Sequence, residues 1–432
     1  MNDLHSQPHT IVIGGGLAGL AAATYLARGG SRVTVLEKSN SLGGRASTDI
    51  VDGFAMNRGA HAFYTGGPAS SVLKELGVTY SFGVPKDVFL RTEAGVVRLP
   101  ANAFSLLRSS VLDAADKAEF MAVFVRLGML KAERLARLST ADWIIQTAKR
   151  PMVRRLLQSV ARVTTYTAAL DLVSADTFVE RFQQSIKHPV HYVDGGWQTI
   201  VDGLRDAAQS AGATILTGAS AAELETTHSQ ANAVRLHDGR RLTADSVVIA
   251  TTPDEAQQLV PTAAQQHAAG HIACLDVALS RAPTTRYPVV FDLDQPRFIT
   301  TQSRYARIAP DGGAVVHAFY HLDPRQAGDP DRESAEMEKL MDEVHPGWRD
   351  VVVERRFLPR MLSAGWLPQA AQGGMAGRPG YRSPELANVY LAGDWIGPHG
   401  YLADAALASA RAAVRLVLDT QLNVASRDLV AA

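Results

Sequence analysis

Hydrophobic and polar positions follow two rhythms along this chain, and the places where one gives way to the other outline its organisation. Near the start, the wholly apolar run Thr10–Ile13 reads as a strand buried on both faces. It leads into Gly14-Gly15-Gly16-Leu17-Ala18-Gly19, after which small and apolar residues from Leu17 to Leu26 predict a helix. Arg32–Leu36 predicts a second buried strand. From Asp113 to Arg137 the spacing is helical, with Phe120, Val123, Phe124, Leu127, Leu130 and Leu135 on one face and charges between them. Val153–Val163 and Ser174–Ile186 repeat that pattern. Beyond about residue 266 the rhythm shortens to β runs at His271–Leu279, Tyr287–Leu293, Arg297–Thr301, Ala314–Tyr320 and Val351–Leu358, interrupted by a predicted helix at Arg332–Val344. A last apolar strand, Val389–Leu391, ends in Gly393-Asp394 and is followed by an alanine-rich helix after Gly400.

Composition narrows the classes. With 432 residues, 46% hydrophobic and 20% charged, and no net charge, the chain has the profile of a soluble protein of two or three domains. No basic excess exists to hold a phosphate backbone, which argues against nucleic acid as a partner. Cys274 is the single cysteine, so no intrachain disulfide can form. The polar first nine residues lack a signal pattern, and no apolar stretch reaches the roughly 18 residues that span a bilayer. The expected location is the cytoplasm.

The glycines carry the first chemistry. Gly14, Gly16 and Gly19 fit the G-x-G-x-x-G spacing between a strand and a helix: the first permits a tight turn, the second lets backbone approach a pyrophosphate, the third allows close packing. The helix N-terminus favours the phosphates, and Glu37 ends the second strand roughly 20 residues on, where an acid grips ribose hydroxyls. Lys38 follows, and then Gly43-Gly44-Arg45 offers a second close approach and a cation for a diphosphate. Far downstream, Asp394 can accept from a ribityl hydroxyl, and the helix start near Gly400 can stabilise negative charge on a reduced isoalloxazine.

Together these features resemble the flavin-dependent amine oxidase, protoporphyrinogen oxidase and phytoene desaturase superfamily. Tyr192-Val193-Asp194-Gly195-Gly196-Trp197 with its following helix, and the strand Ala244–Pro253, are similar to that family's later nucleotide-domain elements. The resemblance implies an α/β protein: a discontinuous Rossmann-like FAD-binding domain (1–66, 190–265 and 380–432), a mostly helical substrate or cap region (67–189), and a substrate-binding antiparallel sheet (266–379). It implies FAD contacts at Gly14, Gly16, Gly19, Glu37, Lys38, Gly44, Arg45, Gly59, Ala60, His61, Gly393, Asp394, Tyr401 and Leu402. One departure is Asn57, which stands where the family often has an acid; it can hydrogen-bond but carries no charge.

Only one dinucleotide fingerprint is present, so a small-molecule substrate is expected to donate the electrons and an external acceptor, oxygen or a quinone, to remove them. The expected reaction is hydride transfer to flavin N5 from a largely apolar molecule at a C–C or C–N bond. A flavin amine oxidase proper and a redox-neutral flavin-dependent isomerase are the alternatives. No lysine outside a solvated helix falls in the β region, which counts against a standard amine oxidase. Tyr401, Trp395 and His61 are the candidate catalytic residues; Tyr401 matches a cage tyrosine of the amine oxidases. His317 and His321 share a strand face, but a metal reading lacks a third ligand, and no metal is expected. Cys274 lies in a substrate-region strand, so FAD is expected to be bound noncovalently. The helical region is read as a packed subdomain. Weak peripheral membrane contact through its apolar face is the other reading.

Overall fold

The computed structural model describes residues 7–100, 103–261, 267–283 and 286–431, with the side chains of 103–104 and 424–431 left out. The polar opening segment 1–6 lies outside the described residues.

Five parallel strands form the nucleotide sheet, in the order Thr214–Leu216, Arg32–Leu36, His9–Ile13, Ser246–Ile249, Val389–Leu391. Numbered along the chain this is 3-2-1-4-5, so the order reverses beside His9–Ile13, and ligands bind outside the strand ends at such a point. Buried Ile11, Val12, Val33, Val35, Val247 and Val248 explain why these runs read as continuously apolar: helices and loops cover both faces. The first turn makes two demands that only glycine meets. Gly14 has φ +109° with the Ala250 carbonyl oxygen 2.6 Å from where a Cβ would sit, and a Cβ on Gly19 would lie 1.8 Å from the Gly14 oxygen. Helix Leu17–Arg28 therefore packs tightly on its strand, and its alanines lie against helices Gln198–Ser210 and Ala403–Ala431.

A seven-stranded sheet forms the second layer, in the order Val352–Ala364, Gly270–Leu279, Ala314–His321, Arg297–Thr300, Val289–Asp292, Phe89–Thr92, Gly95–Arg98. It is not antiparallel throughout, as the sequence led us to expect. Val289–Asp292 pairs in parallel with Phe89–Thr92, because a hairpin from the earlier, otherwise helical segment completes the sheet. Alternation gives the sheet two faces. Ala273, Leu275, Val277, Val316 and Ala318 pack under helix Pro330–Val344, while Cys274, Asp276, His317 and Phe319 face the other way. Strand Val352–Ala364 runs six residues past the expected Leu358, which brings Gly365 to the nucleotide sheet.

The helical region comprises Ala114–Met129, Thr140–Thr147, Pro151–Thr165 and Ala175–Lys187 around buried Trp143, Leu157 and Phe178. The predicted helix to Arg137 stops at Met129, with Leu130 extended before a short 3-10 turn. Its start is set by a reciprocal capping box between Asp113 and Asp116. Among the described residues, no helix is long and apolar enough to cross a membrane.

Candidate active site

The cleft begins at the first glycine loop. Gly43 N donates to the Gly15 carbonyl at 2.9 Å, laying the second glycine pair beside the first. A Cβ on Gly16 would find nothing nearer than 3.8 Å and one on Gly44 nothing within 4 Å, so both backbones face open space. Glu37 is 8% exposed, its two oxygens accepting from Gly15 N and Ser39 N, each at 2.8 Å. A carboxylate has about four acceptor positions, which leaves room for ribose hydroxyls. Lys38 differs from expectation: it turns outward, 60% exposed, and pairs with Glu255 instead of reaching the cleft.

Arg45 and Asp394 meet from opposite ends of the chain. Arg45 donates in a fork to Asp394 at 2.8 and 2.6 Å and also reaches the Ser363 carbonyl at 3.3 Å. The Arg45 side chain stays 38% accessible, against 3% for Asp394. The arginine therefore lines a deep cleft, and the aspartate lies behind it. Burial pushes the Asp394 carboxyl up, but the Arg45 charge, its hydrogen bonds and the Gly365 amide at 2.8 Å outweigh this and hold it below the ordinary carboxylate range. Arg378, unforeseen from sequence, donates to the carbonyls of Asp394 (3.0 Å) and Gly400 (2.8 Å) and so holds both ends of this turn. The Ser409 hydroxyl brackets the amide and carbonyl of Gly393, each at 2.9 Å.

The turn Gly59–Ala62 separates this cleft from an apolar cavity. His61 stands with Nδ1 2.9 Å from the Gly59 carbonyl and Nε2 3.0 Å from the Arg45 carbonyl, beside the Trp197 ring. Neutral imidazole can donate to only one of the two carbonyls, and burial lowers the pKa of His61. Asn57 is fully used inside the protein: its carbonyl accepts from Thr48 Oγ1 (2.7 Å) and Trp197 N (3.0 Å), and its amide donates to Gln302.

Two expected catalytic aromatics are elsewhere. Trp395 is fully buried and donates to the Thr251 carbonyl at 2.9 Å, packing beneath the nucleotide sheet. Tyr401 is 1% exposed, its hydroxyl donating to the Thr165 carbonyl at 2.9 Å and its ring packed on Ala364 and Leu367. Both side chains are committed to the core, so neither faces a substrate in this arrangement. Leu402, half-buried with φ +55°, sets the start of the long C-terminal helix. Tyr401→Phe is expected to retain FAD and cost about 1 kcal/mol of stability for the lost hydrogen bond, whereas Tyr401→Ala is expected to cost about 3–5 kcal/mol through the cavity it leaves. Urea unfolding of the two variants checks this ordering.

The cavity, of about 120 Å³, is walled by Ala60, Ala62 and Gln302 on the cleft side. Tyr64, Tyr166, Tyr192, Phe298 and Phe319 are among the aromatic and aliphatic residues that complete it, and no charged side chain lines it. Every lysine is exposed or half-exposed. Gln302 and Tyr166 gave no local signal in sequence, since neither sits in a spaced motif, whereas Tyr192 opens the Gly195-Gly196 element. His317 and His321 do share a face, as expected, but do different jobs: His317 pairs with Asp276 and His321 contacts the Pro296 carbonyl. No cluster among the described residues could hold a metal.

The cleft fits a flavin dinucleotide. Its glycine backbones are open where a diphosphate would run, Arg45 faces that path, and two donors beside it, Ser363 Oγ and Trp197 Nε1, are buried without a partner. Comparison with known proteins agrees. Residues 17–418 match the flavin containing amine oxidoreductase family. Coproporphyrinogen III oxidase of Propionibacterium freudenreichii subsp. freudenreichii is 24% identical over 402 residues, covering 73% of this chain and 72% of that protein. Carotenoid phi-ring synthase of Streptomyces griseus is 52% identical over 62 residues, but these are 13% of this chain and only 12% of that protein. Among solved structures, an oxidoreductase from Methanosarcina mazei superposes with a TM-score of 0.76 at 19% identity, covering 94% of this chain and all of that one, which shows the shared fold. The chain therefore belongs to the flavin-containing amine oxidoreductase family and is an FAD-dependent oxidoreductase.

Proposed function

We propose that this enzyme dehydrogenates a compact, uncharged and largely apolar small molecule at a C–C or C–N bond. FAD, held noncovalently, would supply the hydride acceptor at N5, with oxygen or a quinone as the final electron acceptor. The observation that carries this reading is the cavity itself: aromatic and aliphatic walls, one amide, and no carboxylate to compensate a buried ammonium. An unpaired charge inside such walls is costly. At about 120 Å³ the space is somewhat smaller than an engineered apolar cavity of about 150 Å³ that accepts benzene, so the reacting group it receives is no larger than a small ring.

The protein's own residues have defined parts in this reading. Gly14, Gly16, Gly44 and Arg45 receive the diphosphate, Glu37 a ribose and Asp394 the ribityl end. Gly59, Ala60 and His61 would border the opening at which the ring system meets the substrate, with Ala60 in the cavity wall. Gln302 is held by donating to the His61 carbonyl at 2.7 Å and accepting from Asn57, so its amide faces the cavity in one orientation. Burial pushes the Tyr166 and Tyr192 hydroxyls up, which keeps them neutral. The cavity-wall tyrosines and phenylalanines keep water out.

Anaerobic mixing of the FAD-loaded enzyme with small uncharged cyclic compounds, polyprenoids, porphyrinogens and amines tests this. Flavin bleaching by uncharged compounds and none by diamines is expected. Bleaching by cationic amines alone would overturn the reading in favour of an amine oxidase proper, and turnover only after prior reduction of the enzyme would overturn it in favour of an isomerase.

A further inference from the structure

One row of side chains crosses four strands of the seven-stranded sheet, on the face turned toward the site. Arg356, Asp276, His317 and Thr300 are successive register partners. Asp276 and His317 are both fully buried, with His317 Nδ1 2.6 Å from Asp276 Oδ1. Arg356 closes the other side of the carboxylate at 2.9 Å and carries Asp49 as its outer partner. An imidazole whose Nδ1–H donates to a carboxylate presents Nε2 as an acceptor. Here Nε2 is buried and meets no hydrogen-bond partner. Next in the row, Thr300 Oγ1 stands 3.2 Å from the hydroxyl of Tyr192, which lines the cavity. Directly opposed residues on neighbouring strands have Cβ atoms about 4.5–5.5 Å apart, so a side-chain rotation of Thr300 brings its hydroxyl toward the imidazole.

The proposed dehydrogenation releases a proton as well as a hydride, and the cavity wall holds no histidine, lysine or carboxylate to take it. We propose that His317, paired with Asp276, accepts this proton through the hydroxyls of Thr300 and Tyr192, an inference that rests on the reaction class proposed above. The substrate bond to hydrogen breaks heterolytically, and its electron pair forms the new π bond. The proton binds Tyr192 Oη as the Tyr192 proton passes to Thr300 Oγ1 and the Thr300 proton to His317 Nε2. Both hydroxyls end neutral, and the imidazolium that forms faces the Asp276 carboxylate; the hydride, with its two electrons, goes to FAD. The other groups around His317 are Cys274 on the Asp276 strand, Arg356 beyond it, and His61 on the turn packed against them. Cys274 donates to Asp276 at 3.0 Å, and burial pushes its thiol well above the usual range, so it does not compete as a base.

Two measurements test this. Imidazole ¹⁵N NMR of the FAD-loaded protein needs no substrate: His317 is expected to carry its proton on Nδ1, toward Asp276, and to show an unprotonated Nε2. A proton found on Nε2 would overturn the assignment whatever the substrate proves to be. With a compound that bleaches the flavin, His317→Gln and the isosteric Thr300→Val are each expected to slow anaerobic reduction by about 10²–10⁴-fold and to change its solvent deuterium isotope effect, with FAD retained. Reduction at the wild-type rate in either folded variant would overturn the route. If no apolar compound bleaches the flavin, the reaction class fails, while the NMR result still decides whether His317 can take a proton.

Discussion

Asp394→Ala is expected to weaken FAD binding by about ten- to a hundredfold, while leaving a folded apoprotein. Asp394 holds the guanidinium of Arg45 in a two-bond fork and accepts the Gly365 amide, so its loss frees the cation that faces the diphosphate path and leaves a buried amide unpartnered. It also removes the acceptor proposed for a ribityl hydroxyl. A hydrogen bond to a charged group is worth roughly 1.5–3 kcal/mol, which gives the stated loss. Titrating apoprotein with FAD, followed by flavin fluorescence, measures it; unchanged affinity would mean the aspartate plays no part in the cradle. The pH dependence has a definite sign. Because the folded-state pKa of Asp394 is lowered, its stabilising contribution is fully present above the ordinary carboxylate pKa of about 3.9 and fades only as pH falls through the lower folded value. In a stability–pH titration, the wild-type advantage over Asp394→Ala should therefore persist down through pH ~4 before it disappears.

A second large effect is expected at Asp404, which the motifs did not single out. Its carboxylate ties three elements together: it accepts from Ala69 N at 2.9 Å at the start of helix Pro68–Leu76, and from Arg181 (3.3 Å) and Gln184 (2.9 Å) on helix Ala175–Lys187. Arg181 and Asp404 are only 3% and 4% exposed, and the guanidinium lies on the Tyr64 ring with a centroid distance of 3.4 Å. Removing one partner of a buried pair strands the other charge, so Asp404→Ala is expected to cost about 3–5 kcal/mol. Asp404→Asn, which keeps the acceptor for Ala69, should cost less. Denaturant unfolding of the FAD-loaded proteins compares them; a midpoint unchanged by Asp404→Ala would show that the pair contributes nothing net.

The parts of the cofactor cradle could be read from sequence, though their pairing could not. Gly14, Gly16, Gly19 and Glu37 signal themselves because a strand–turn–helix around a diphosphate depends on local backbone geometry and short spacing. Arg45 and Asp394 were each identifiable from their own motif, yet nothing local says that residues this far apart form a fork. Conversely, Tyr401 and Trp395 follow the Gly-Asp motif at suggestive positions, but which way an aromatic ring turns depends on neighbours such as Thr165 and Thr251 from distant segments. Asp276 left a trace that could have been followed: an acid inside the apolar run Ile272–Leu279 has to find a partner when buried. That partner, His317, comes from the next strand of the sheet.

The sequence by itself therefore determined the two layers of strands, the glycine turn and the kind of nucleotide it receives, because hydrophobic period and backbone freedom act over a few residues. Tertiary structure alone decided that an early hairpin makes one sheet junction parallel, that Lys38 points outward, that Tyr401 and Trp395 belong to the core, and that an uncharged cavity lies behind Gly59–Ala62. These outcomes depend on which surfaces meet across the fold, and burial and charge pairing between segments hundreds of residues apart have no counterpart in local spacing.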